Sequence, residues 1–409
     1  MTPRQRVLAA VNHQVSDRVP IDLGGMKASG IAVTAYDRLK RRLGIGTPTK
    51  VLDPRFMIAV VEEEVLRRLH ADVAPLDLSG ILGLVRPDAE WVGRRLFDGT
   101  QALFPPGTQI AEDAAGNWVL LAADGSPTSY QMPKNGFYFD DKSFNQGDRI
   151  DPQKFQPVAD IPDEHLRLLG DYARGLYDNT DYAILGWGFG VCFLGLSLIT
   201  DRSANVTQGL TSEWMAMLMT EKETCHEMMD RSVEASIACL RLVEQAVGER
   251  PFAWGIAADD SGTQRGEFIR PALWAEMIKP HYKKLCGWIH AHTAWKTFLH
   301  CCGSVYNLLP EFIEAGVDIL NPVQTSAANM EPERLKQEFG RRLVFWGGGC
   351  DTQRVLGQGS PEEIRQQVRQ RLEIFRPGGG YVFNQVHNIQ PNVPAENILA
   401  MFETAYELG

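Results

Sequence analysis

His300 and Cys302 stand two residues apart at the end of an apolar run, 296–302, and Cys350 ends another, 342–350, behind three consecutive glycines. In a β-strand side chains alternate between faces, so His300 and Cys302 would point to one side and Cys301 to the other. Glycines 347–349 would let backbone and ligand approach closely. Two thiolates and one imidazole suit Zn²⁺, and three protein ligands leave the fourth tetrahedral position open for chemistry. His290 and His292, at the end of a helical pattern, are candidates for a fourth ligand, although a strand and turn separate them from the Cys pair. Spacing alone equally admits that Cys301, Cys302 and Cys350 are small buried residues, since free cysteine is among the most buried types.

Other strand ends carry polar groups. Asp259-Asp260 closes the run 251–260 and precedes Ser261-Gly262-Thr263-Gln264. One carboxylate would face a pocket as proton or hydrogen-bond acceptor and the other would cap a helix. His387 closes the run 381–387 and joins Asp259 and Asp260 as a catalytic candidate, as polar lining rather than a metal ligand. Gln264, Gln324 and Asn388, with Trp187 and Phe189 on the run 182–190, are the substrate-binding candidates. The glycine-rich stretch 186–190 lacks both dinucleotide spacing and a phosphate-loop lysine, and no nucleophilic serine elbow is present.

These residues need a scaffold that brings strand ends together. Short apolar runs at 18–23, 182–190, 251–260, 296–302, 317–324, 342–350 and 381–387 alternate with helical patterns at 212–247, 271–291, 305–314, 332–339 and 361–375. That βαβα order, with at least seven strands, predicts a single-domain (β/α)₈ TIM barrel over 1–409, with an open doubly wound sheet as the alternative. Residues 88–160 break the pattern. Short strand-like stretches at 91–97, 117–122 and 128–131 are separated by Asp98-Gly99, Pro105-Pro106-Gly107 and Asp124-Gly125-Ser126, which predicts an inserted β-meander near the barrel mouth.

A 409-residue chain that is 44% hydrophobic can bury a large core. Its 41 basic and 51 acidic residues, with no long run of either sign, argue against nucleic acid and anionic membranes as partners. Seven cysteines without a secretory signal indicate reduced thiols and a cytoplasmic protein, and no stretch is apolar enough for a membrane helix. The expected partners are small molecules or another protein, including a second copy in a homo-oligomer.

Taken in order, Asp259-Asp260-Ser261-Gly262-Thr263-Gln264, His300-Cys301-Cys302-Gly303-Ser304-Val305, Asn321-Pro322-Val323-Gln324, Gly347-Gly348-Gly349-Cys350-Asp351-Thr352-Gln353 and His387-Asn388-Ile389-Gln390 resemble the uroporphyrinogen decarboxylase superfamily. That superfamily includes zinc-dependent corrinoid methyltransferases. The resemblance implies the same barrel and a zinc site of the form H-x-C with a distant Cys, falling on His300, Cys302 and Cys350. The decarboxylase branch relies on arginines after its first strand, whereas residues 23–28 here read Leu-Gly-Gly-Met-Lys-Ala.

The resulting expectation is a zinc-dependent methyltransferase. It would move a methyl group between a small methylated substrate, namely a methoxylated aromatic, a methylamine or a thioether, and a thiol or a corrinoid (cobalamin) carried on a partner protein. The alternatives are a metal-free decarboxylase of the same fold and a non-catalytic ligand-binding barrel.

Overall fold

The computed structural model of the chain describes residues 1–77, 90–142, 152–153, 155–157, 159–193 and 211–409. Seven parallel strands form one curled sheet: β1 (Val73–Asp77), β2 (Ala183–Val191), β3 (Pro251–Ala258), β4 (Lys296–His300), β5 (Ile319–Asn321), β6 (Val344–Trp346) and β7 (Tyr381–Val382). Each pairs with its neighbour in sequence, the arrangement of a TIM-like barrel. An eighth stave closes the curl. Residues 20–22 lie between the two sheet edges: the Phe383 N–H donates to the Pro20 carbonyl, the Asp22 N–H to Phe383, and the Asp72 N–H to Ile21, at 2.7–2.8 Å.

Alternation along the strands divides the core in two. Inside the barrel lie Val73, Leu185, Ala253, Phe298, Ile319, Val344, Trp346 and Val382. Between sheet and helices lies a larger cluster, to which the intervening residues Leu299, Leu320 and Phe345 belong. The outer helices include Asp163–Asn179, Lys222–Val247, Lys279–His292, Pro361–Phe375 and Ala395–Leu408. The expected helix over 271–291 is broken at Ile278, where Pro280 is about to enter, into Pro271–Met277 and Lys279–His292. No helix among the described residues is long and apolar enough to cross a membrane.

The β-rich segment forms two four-stranded sheets. One is an antiparallel meander of Gln109–Glu112, Trp118–Leu121, Pro127–Met132 and Asp140–Asp141. The other joins Val92–Arg95 and Gln101–Phe104 to Thr49–Asp53 and Ile58–Ala59, so this sheet reaches well upstream of residue 88. Residues 88–89, at the expected start of the insertion, lie outside the described residues.

Candidate metal centre

On β4, Phe298 faces the barrel interior, and His300, one pleat further on, must do the same. Cys302 follows on that face beyond the strand end. Cys301 turns outward and is buried, its sulfur accepting the Ser261 N–H at 3.2 Å. Among the described residues, His300, Cys302 and His387 form the group whose ligand atoms all lie within 4.8 Å of one another. Cys302 Sγ is 3.4 Å from His300 Nε2, and the two imidazole rings meet edge to face at 5.5 Å.

Both histidines are fixed from behind. His300 Nδ1 lies 2.7 Å from Asn321 Oδ1. The Asn321 amide donates in turn from Nδ2 to the Trp346 carbonyl at 3.0 Å, which leaves Oδ1 to accept and makes His300 Nδ1 the donor. His387 Nδ1 is bonded in the same way to Asn388 Oδ1. Each ring therefore presents Nε2 as its lone-pair nitrogen, the arrangement in which a second hydrogen bond orients a liganding histidine. The backbone carrying His387 is tied to residues 30–32, downstream of the closing stave: the Ile389 N–H donates to Gly30 and the Ala32 N–H to Ile389, at 2.9 and 2.8 Å.

Two imidazoles and one thiol, with nothing else of that kind in the group, fit a tetrahedral, borderline-soft ion with one open position. Burial, reinforced by His300, lowers the His387 pKa to about 4, so its imidazole is neutral and able to ligate at neutral pH. Burial, together with the Asp260 carboxylate, pushes the Cys302 thiol far above the usual range. Metal loading must displace that proton.

The same burial effect acts at His281, between helices Lys222–Val247 and Lys279–His292. Its pKa falls to about 4 although Asp230 lies 3.2 Å away. In the unfolded chain both imidazoles titrate near 6.5, so between pH about 4 and 6.5 the unfolded state binds more protons. Stability of the metal-free protein is therefore expected to fall as pH drops through that window, by roughly 3 kcal/mol for His281 alone. Urea unfolding at pH 7 and pH 4.5 measures it. A His281→Gln protein whose stability falls as steeply as the wild type's would show that this residue is not responsible.

Cys350 is not part of the metal group. Strand β6 ends at Trp346, and Gly347 and Gly348 then take positive φ of 105° and 75°, so face alternation does not carry through to residue 350. Its thiol comes out in the core outside the barrel, fully buried, with Asp351 and Arg371 as its electrostatic neighbours. His290 and His292 also lie elsewhere, at the helix end that precedes β4, bonded to Asp318 and to the Trp288 carbonyl.

The two aspartates separate cleanly. Asp259 is buried and accepts from Tyr282 Oη at 2.7 Å, the Phe193 N–H at 3.0 Å and Cys192 at 3.4 Å, which ties down neighbouring elements. Asp260 is exposed and accepts the Cys302 N–H at 2.8 Å, beside the metal group. Gln324 uses Oε1 to accept the Gly303 N–H at 2.8 Å, holding the turn that follows Cys302. Gln264 is exposed, and its carbonyl accepts from Ala328.

Trp187 projects into the barrel, edge-on to Phe298 at 6.0 Å, one pleat below His300. Phe189 does not share that face. The pairing of β2 with β3 shifts between Trp187 and Val191, where Gly188 and Phe189 both have positive φ, and this bulge turns Phe189 into the outer core. Asn321, quoted above only within a motif, joins the site through its bond to His300. It ends an apolar strand just as His300 does, and that signal was available.

The chain is similar to known proteins in sequence and in fold. The family model for uroporphyrinogen decarboxylase (URO-D) matches residues 198–408, more than half of the chain. A uroporphyrinogen decarboxylase of Alkalilimnicola ehrlichii is 23% identical over 415 aligned positions, covering 99% of this chain and 94% of that protein. One of Methylococcus capsulatus is 34% identical over 74 residues, 18% of this chain and 20% of that protein. Among solved structures, a methyltransferase from Methanosarcina mazei superposes over 100% of this chain and 99% of its own, with a TM-score of 0.53 and 17% identity, a likeness of fold.

Proposed function

The chain belongs to the uroporphyrinogen decarboxylase family, and from that premise we propose that it is a zinc-dependent methyltransferase, with a small methylated molecule as donor and a thiol or a corrinoid on a partner protein as acceptor. The observation that carries this reading is the convergence of His300, Cys302 and His387 at the strand ends of the barrel, with both imidazoles presenting Nε2.

Zinc, when bound, supplies Lewis acidity toward the heteroatom bearing the methyl group, or lowers the pKa of an acceptor thiol. Everything else falls to the side chains. His300 and His387 hold the ion through nitrogens whose direction Asn321 and Asn388 set. Asp260, exposed beside Cys302, would take the thiol proton displaced on metal loading and release it to solvent, after which its carboxylate is again available as a base at the mouth. Trp187 gives the interior wall below His300 an aromatic surface suited to a flat or apolar group.

The decarboxylase reading draws on the names of the relatives and needs cations for a substrate rich in carboxylates. Lys27, which follows the stave at residues 20–22, is already paired with Asp53 at 2.8 Å and Asp77 at 3.6 Å. The test is metal analysis of the purified protein, followed by transfer from methoxylated aromatics, methylamines and thioethers to reduced cobalamin. One zinc per chain, and turnover that stops on chelation and returns with zinc, is the expected result. A protein that takes up no zinc would sink the proposal.

A further inference from the structure

Asn388 does not direct His387 unaided. Gln390 donates from Nε2 to Asn388 Oδ1 at 3.2 Å and to its carbonyl at 3.1 Å, and its own Oε1 accepts the Tyr138 hydroxyl at 2.5 Å. The bonding pattern permits only one sense. The Asn388 carbonyl can only accept, so the Gln390 amide nitrogen faces Asn388 and its Oε1 is left to take the Tyr138 hydroxyl, which keeps Asn388 Oδ1 an acceptor and His387 Nδ1 a donor. Tyr138 belongs to the β-rich segment, between strands Pro127–Met132 and Asp140–Asp141, and stands 252 residues before Gln390.

The backbone of this loop is held independently, by Ile389 against Gly30 and Ala32. Tyr138 therefore bears on the side-chain amide of Gln390, whose other end bonds Asn388, rather than on the path of the chain. We propose that Tyr138 is a positioning residue for the metal centre: acting through Gln390 and Asn388, it fixes the tautomer and ring direction of His387. The seating of the β-rich segment thereby sets the ligand geometry in the barrel. The proposal rests on His387 as a ligand, and extends that reading to a segment that carries no ligand itself.

The test compares wild type with Tyr138→Phe, which removes one hydroxyl, and with Asn388→Asp and Asn388→Leu, which keep and remove the acceptor. Affinity for Co²⁺ is expected to fall about tenfold in Tyr138→Phe and further in Asn388→Leu, with a shifted cobalt d–d spectrum, while Asn388→Asp stays near wild type. In metal-free protein labelled with ¹⁵N-histidine, the His387 signal is expected to report the Nδ1–H tautomer in wild type and a mixture in Tyr138→Phe. An unchanged His387 signal in Tyr138→Phe overturns the proposal whether or not cobalt binds. A wild type that takes up no cobalt removes the metal reading, and the nitrogen signal then decides the relay alone.

Discussion

His300→Ala is expected to lower zinc affinity by more than about a hundredfold and to bring methyl transfer down to the level of the metal-free chain, whereas Cys350→Ala is expected to keep both. Losing a partner that merely orients a liganding histidine costs roughly 10- to 100-fold in metal affinity, and losing the ligand itself removes the bond as well. With His300 gone, two donors remain to hold an ion whose binding must also offset ionisation of the Cys302 thiol, disfavoured as a thiolate by burial and by Asp260. Cys350 instead fills space outside the barrel beside Arg371 and Asp351. Its truncation should cost stability through a small cavity and leave the metal untouched. Equilibrium dialysis with zinc, with circular dichroism to show that each variant is folded, gives the comparison. Loss of zinc from folded Cys350→Ala, matching the loss in His300→Ala, would make Cys350 a ligand after all.

That contrast also marks how far the sequence could be read. His300 and Cys302 were legible because a five-residue strand keeps strict alternation, so two residues apart means one face. Alternation failed at Cys350 and Phe189 for one physical reason: residues in the left-handed region interrupt the pleat, and their φ values are not written in composition. Strand β1 is not legible in the sequence because Pro75 sits inside it, a residue that ordinarily argues against a sheet interior. Asp259 and Asp260 were indistinguishable as neighbours, and the tertiary partners Tyr282 and Phe193 decided that Asp259 is structural. The turns of the β-rich segment were plain in sequence. Its recruitment of Thr49–Asp53 as a parallel partner of Gln101–Phe104 was not, since local pattern does not encode pairing across fifty residues.

Barrel closure depends on a charge cluster at the opposite end of the strands from the metal centre, and Asp72→Ala is expected to destabilise the protein by about 3–5 kcal/mol. Asp72 is fully buried and accepts from Arg6 at 2.6 Å, from Arg18 at 2.8 and 3.0 Å and from the Ile21 N–H at 2.8 Å. Ile21 in turn belongs to the stave that joins the two edges of the sheet. Removing the carboxylate takes from Arg18 its two bonds to Asp72, leaves Arg6 paired with Asp17 at 2.7 Å, and opens the hydrogen bond that registers stave against strand. If the cost comes from orphaned charge, replacing all three residues together, Arg6→Met, Asp72→Leu and Arg18→Met, should recover most of the loss, because the desolvation penalty vanishes along with the attraction. Urea unfolding of the single and triple variants separates the two. A triple variant as unstable as Asp72→Ala would show that the backbone bond to Ile21, rather than the charges, keeps the eighth stave in place. It would also tie closure to the chemistry, since Phe383 pairs with that stave and His387 follows it by four residues.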